Sequence, residues 1–412
     1  MLDAAARARP VLALGAAMTV ASCGHTVDFL GDNGEVDAAP GTDAGSFDAS
    51  RDGSASIVYP NAFRDLLGKT DDQITGKLAA AFAQLFYGNA TTEAVYFPVG
   101  TNQAYIWDVF LDQASAESLG YGMMIALQLD KKDEFDRLWN WTKTYLQIPD
   151  GPLAGILWNF CSTAGTACSS ALDPYGTSYV VTALLFASRR WSNSGGIYNY
   201  ATEAQRMLTA MPILFDMTTG LAVNGSTPPA SQHATPSNQI PAFAEIWSRT
   251  SPIDFWRIVP RGARAFWKVA AHPATGLVPG SADFSGVPVP PFDQFGLLAY
   301  PFAMDLTMDH VWYGIDPWQV EEANKVIAFF ISQGIANYAD RYTLDGVPQD
   351  TGHSAALLSM NGAMALTATT PDRIPFIQAV WDVAIPTGQF RYADGILYML
   401  SLLVLSGNFR MY

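Results

Sequence analysis

Leu119-Gly120-Tyr121-Gly122-Met123-Met124-Ile125-Ala126-Leu127-Gln128-Leu129 is apolar or small on nearly every side of a helix. The stretch that follows, Asp133 to Leu146, is different. Phe135, Leu138, Trp139, Thr142, Tyr145 and Leu146 recur at steps of three and four, with charge between them. The first pattern predicts a helix buried all round and the second a helix with one wet face. Working outward, Tyr179 to Ser188, His353 to Ala368 and Gly395 to Ser406 repeat the first kind. Arg206 to Phe215, Asp254 to Ala271 and Pro317 to Tyr338 repeat the second. None of the apolar stretches reaches the roughly 18 residues of a bilayer span. Alternating buried and half-buried helices predict an all-α fold in two concentric layers, the arrangement of an (α/α)6 barrel. The long Gly/Pro-rich and aromatic connections at 88–115, 147–176, 216–240 and 272–295 are where function is expected.

The chain has 412 residues, 49% of them hydrophobic, which is enough for a large core. Residues 1–23 read as an export signal: Arg7 and Arg9, a short apolar run from Val11, then Val20-Ala21-Ser22-Cys23. Small residues before Cys23 resemble a bacterial lipoprotein signal, in which that Cys carries the lipid; an ordinary signal peptide with an incidental Cys is the alternative. Residues 24–58 carry seven acids against one Arg among Gly, Ala and Ser. Such a stretch buries too little apolar surface to offset its ordering entropy, which predicts a disordered tether. The domain proper is expected at 59–412. This organisation predicts a secreted, bacterial envelope lipoprotein that touches the membrane only through its anchor. Cys161 and Cys168, seven residues apart, can pair in an oxidising compartment or remain two thiols. No His or further Cys lies near them to complete a metal site. A net charge of −15 argues against nucleic acid, whose phosphates it repels.

Ala116-Glu117-Ser118-Leu119-Gly120-Tyr121-Gly122-Met123-Met124 resembles the signature of glycoside hydrolase family 8, in which a Glu opens an inner helix. Leu129 to Trp139, Tyr179 to Trp191, Pro241 to Trp247, Ala270-Ala271-His272-Pro273, Asp316 to Gln319 and Phe390 to Gly395 extend the likeness in order over roughly 60–412. It is nearest to the family's exo-oligoxylanase branch. The resemblance implies an (α/α)6 barrel with an open carbohydrate cleft, no cofactor or metal, and inverting hydrolysis of β-1,4-linked oligosaccharides, xylan fragments above all. The second expectation is a catalytically impaired relative that holds oligosaccharide at the cell surface.

Inverting hydrolysis needs an acid for the leaving oxygen and a base for water, with carboxyls about 6.5–9.5 Å apart. The resemblance makes Glu117 the acid; an N-terminal carboxylate favoured by the helix dipole is the alternative. The base position departs from the family. Counting back from the helix at Ala303 without a gap puts Leu298 where the Asp belongs and Pro301 where the Arg belongs. A five-residue insertion would instead make Asp293 the base, although a Pro-rich loop also suits a solvated turn residue. The family's third carboxylate falls at Tyr175, with Asp173 two residues away as a substitute. A Tyr that helps hold the water falls at Asn238. Tyr121, Trp158, Trp312 and Tyr392 are the candidate sugar platforms. Asp305, Asp309 and Asp394 are acids in apolar segments and need partners.

Overall fold

The computed structural model describes residues 57–223 and 232–412. The export signal, Cys23 and the acidic stretch up to residue 56 lie outside the described residues. Residues 57–412 form one compact unit.

A short helix, α1 (Ala62–Asp65), is capped by Asn61, whose side chain accepts from the Arg64 N–H. Among the described residues, twelve longer helices follow. The odd-numbered ones are α3 (Ala116–Gln128), α5 (Pro174–Arg190), α7 (Pro241–Thr250), α9 (Phe302–Tyr313), α11 (Ala355–Thr367) and α13 (Arg391–Leu405). Each packs on the next, and α13 returns to α3, so the six close into a ring. The even-numbered helices α2 (Asp71–Tyr87), α4 (Lys132–Trp141), α6 (Tyr200–Ala210), α8 (Val259–Ala270), α10 (Trp318–Gln333) and α12 (Arg373–Asp382) lie outside it. Of these, α4 packs on α3, α6 on α5, α8 on α7, α10 between α9 and α11, α12 on α11, and α2 on α13. This is the (α/α)6 barrel that the resemblance implied, in the two helical layers that the alternation predicted. Inner α3 buries twelve of its thirteen residues, whereas α4 buries only Phe135, Leu138, Trp139 and Trp141.

The elements depart from periodicity where local chemistry intervenes. The amphipathic run Asp133 to Leu146 is α4 followed by a π-helical turn, Thr142–Leu146. The run Asp254 to Ala271 is a 3-10 turn (Asp254–Arg257) and then α8, because Pro260 lacks an N–H and fits only a first helical turn. Among the described residues, three short antiparallel pairs decorate the loops: β1 (Tyr96–Val99) with β2 (Gln103–Ile106), β3 (Ala114–Ser115) with β4 (Phe160–Cys161), and β5 (His233–Ala234) with β6 (Ala282–Asp283). Cys161 and Cys168 form a disulfide.

Candidate active site

The N-terminal ends of α3, α5, α9 and α13, with the turn before α7, gather at one end of the barrel around a cavity of about 430 Å³. Glu117, Tyr175 and Tyr392, in the first turns of α3, α5 and α13, therefore face this space.

Glu117 occupies the first turn of α3. Ser115 caps that helix by accepting from the Ser118 N–H, and the Ser118 hydroxyl accepts from the Ser115 N–H in return. Gly176 of α5 comes so close that a Cβ there would lie 2.3 Å from both the Ala116 carbonyl carbon and the Glu117 nitrogen. A Cβ on Gly120 would meet that of Tyr179 at 2.7 Å. Small residues thus bring α3 and α5 together and fix the height of Glu117. Its carboxyl reaches the cavity and lies 3.5 Å from the Tyr392 hydroxyl. Burial pushes it up to about 8, with the Asp173 and Asp108 charges adding to the rise and the Tyr392 hydrogen bond opposing it. It is protonated at neutral pH, as a general acid must be.

Asp173 caps α5, accepting from the Gly176 N–H at 2.9 Å. Burial raises it to about 6 against the pull of the Gly176, Tyr175 and Glu117 N–H groups. Beside it a layer of phenols floors the cavity. The Tyr121 hydroxyl donates to that of Tyr175 at 3.0 Å. Tyr175 and Tyr179 each reach a different oxygen of the fully buried Asp305, both at 3.4 Å. Burial holds Asp305 well above the usual carboxylate range, the two phenols pulling the other way. The facing wall is of another kind: Leu297, Leu298 and Pro301, with Ser237 and Asn238 beside them.

The family model for glycosyl hydrolases family 8 matches residues 111–406. The chain belongs to glycosyl hydrolase family 8. It is 34% identical to the reducing-end xylose-releasing exo-oligoxylanase Rex8A of Paenibacillus barcinonensis, over 86% of this chain and 97% of that protein. A family 8 xylobiose complex from Teredinibacter turnerae superposes with a TM-score of 0.83 at 35% identity, covering 86% and 97% of the two chains. Endoglucanase C of Ruminiclostridium cellulolyticum is 27% identical over 71% of this chain and 64% of its own length.

Among the residues singled out from the sequence, Glu117, Tyr121, Tyr175, Asn238 and Tyr392 come together on this family 8 cavity. Four others do not line it. Asp293 is held five residues from Leu298 in a loop whose neighbours pair with residues 280–281, through Gly280 N–H to the Gln294 carbonyl and Ser281 N–H to the Phe292 carbonyl. Asp173 sits behind Glu117 and is spent on the α5 cap. Trp158 packs on the core while its neighbour Asn159 faces the cavity, because successive side chains of an extended segment point to opposite faces. Trp312 lies ten residues beyond the start of α9, about 15 Å down the barrel, stacked on Phe409. Asp309 is ion-paired with Arg264 at 2.7 Å and Asp394 accepts from the Ala356 N–H.

Sequence reasoning missed Asp108. It is the second carboxylate on the cavity wall among the described residues. Its Oδ1 accepts from the N–H groups of Phe110 and Leu111, and burial raises its pKa against those bonds. An Asp that bonds the backbone two and three residues on reads as a turn former, and nothing in the sequence marks it otherwise.

Proposed function

We propose that this family 8 hydrolase cleaves β-1,4-linked xylo-oligosaccharides, with Glu117 protonating the leaving oxygen. The observation that carries this is a carboxyl held protonated at neutral pH on the cavity wall, with Tyr121, Tyr175 and Tyr392 around it. The names of the exo-oligoxylanase and xylobiose-complex relatives support xylan fragments as the substrate. Tyr121 and Tyr175 present rings and hydroxyls to the sugar, and Asn238 supplies an amide from the far side.

One observation favours a second reading, an oligosaccharide-holding member with impaired turnover. Leu298 and Pro301 line the wall where the family resemblance expects the base and its Arg, and Asp293 does not. A leucine accepts no proton, so water activation falls to Asp108 or goes unassisted. The deciding experiment incubates the protein with xylo-, cello- and chito-oligosaccharides and follows product length and anomer by NMR. Inverted products from xylo-oligosaccharides are expected; xylo-oligosaccharide binding without products would move the conclusion to the second reading.

We also propose that the chain is a lipid-anchored envelope protein, joined to its membrane at Cys23 through the acidic tether. Val20-Ala21-Ser22 before Cys23 supports this. Metabolic palmitate labelling of cells expressing the full chain should mark the protein, and Cys23→Ser should release it unlabelled.

A further inference from the structure

The mouth of the cavity is unlike its floor. Phe110, Leu111, Leu297, Leu298 and Phe390 line it while remaining 53%, 58%, 55%, 50% and 43% exposed. They are five of the fifteen large apolar side chains left exposed among the described residues. A third of those side chains are thus gathered at one opening. The Phe110 and Phe390 rings sit 5.1 Å apart and tilted at 40°. Leu297 and Leu298 belong to the facing wall. Phe292 continues the patch, since a Cβ on Gly280 would lie 3.3 Å from the Phe292 Cβ and 3.4 Å from that of Leu298. No Lys, Arg or Trp lines the cavity among the described residues.

A saccharide uses the interior well, where Glu117, Tyr121, Tyr175 and Asn159, with Asn238 across from them, offer hydrogen bonds. At the mouth, Asp108, Gln113 and Gln389 apart, the lining is aromatic and aliphatic carbon left half in solvent, which rewards covering by an apolar ligand surface more than by hydroxyls. An exposed apolar patch continuous with a polar pocket marks a ligand that is itself divided in the same way. We infer that the mouth takes an aryl group carried by the saccharide, a flat ring received between Phe110 and Phe390 on one side and Leu297 and Leu298 on the other. The ligand is then an aryl-substituted xylo-oligosaccharide, the ring attached as an aglycone or as an ester on a side group. This inference rests on the proposed saccharide site and names the substrate class within it.

The test is calorimetry on the full chain carrying Glu117→Gln, which suspends turnover. Three probes are compared: xylotriose, its 4-methylumbelliferyl β-glycoside, and feruloyl-arabinosyl xylotriose. At least one aryl probe should bind about tenfold or more tighter than xylotriose. Phe110→Ser with Leu297→Ser should abolish that gain and leave xylotriose affinity within twofold. Both changes are at exposed positions and spare the fold. Equal affinity for all three probes, or a gain that survives the double substitution, would overturn the aryl assignment while leaving the saccharide site intact. Binding of none of the three would overturn that site as well. Sedimentation with phosphatidylglycerol vesicles that depends on Phe110 and Leu297, without discrimination among the sugars, would assign the patch to a lipid surface instead.

Discussion

The two walls of the cleft are built by opposite rules. On one side every polar group is held: Ser115 caps α3, Gly176 lets α5 touch the backbone at Glu117, Tyr392 meets the carboxyl, and Asp173 and Asp305 lie behind in hydrogen-bonded burial. On the other, Leu297 and Leu298 stand half in solvent and Pro301 begins α9. The first wall carries the cost of buried carboxyls, which a fold retains only for a use. The second carries none of that cost and none of the proton chemistry. The wall that holds the proposed acid is tightly packed, and the wall where the resemblance expects the base is apolar and open.

The largest break in that contrast is Glu117→Gln. General acid catalysis contributes about 10²- to 10⁴-fold, so kcat on xylotriose should fall by that much while calorimetric affinity stays. A variant with full activity would remove Glu117 from the chemistry. Leu298→Asp works on the other wall, at an exposed position that accepts a carboxylate readily. If water activation is what this wall lacks, kcat should rise by about 10- to 10²-fold; an unchanged kcat in steady-state assays would place the base elsewhere, at Asp108 first. Gly176→Ala tests how tightly the first wall is packed. Its Cβ would meet immobile backbone at 2.3 Å. Overpacking of this kind costs about 1–3 kcal/mol or more, read as a lower urea midpoint, and the displaced Glu117 should lower kcat as well.

Two smaller effects concern pH. The activity should fall on the alkaline side near pH 8 as Glu117 loses its proton. Asp108→Asn removes a charge that raises Glu117, so this limb should move to lower pH in the kcat/KM profile; a limb that does not move would mean the two carboxyls are uncoupled. The last effect is on stability. Glu117 titrates near its ordinary 4.5 when unfolded and near 8 when folded. Between those values the native state holds a proton the unfolded state has released, so its burial costs progressively more stability as pH rises through that window. Glu117→Gln should therefore raise Tm by about 2–4 °C at pH 8 and leave it unchanged at pH 4, by calorimetric scans.

The two helical layers were legible because their signal is redundant; their closure into a six-fold barrel came from the family resemblance. Leu119–Leu129 and Asp133–Leu146 differ in the one property, apolar all round or on one face, that separates inner from outer helices, and the contrast recurs around the ring. Helix ends were less legible: the single pattern at Asp254 to Ala271 conceals a 3-10 turn, since periodicity does not register the break at Pro260. In the site, Glu117 and Tyr175 could be placed through the family resemblance and Tyr392 by its place at a helix start, and the starts of α3, α5 and α13 do open on the cavity. Trp158 and Trp312 could not, since a large ring serves core and cleft alike and only its height and facing decide. Asp108 was hidden in a turn that any soluble loop could contain.

The Cys161–Cys168 bridge closes a loop whose strand β4 is paired with β3, Cys161 opposite Ala114 and Phe160 opposite Ser115. Ser115 is the residue that caps the helix of Glu117. A thiol reductant would therefore act on the strand pair that leads into the helix of Glu117, the proposed proton donor, through the backbone rather than through the cleft. Dithiothreitol in an assay buffer slackens the brace beneath that donor, and enzyme made in a reducing cytosol carries the same slack from the start.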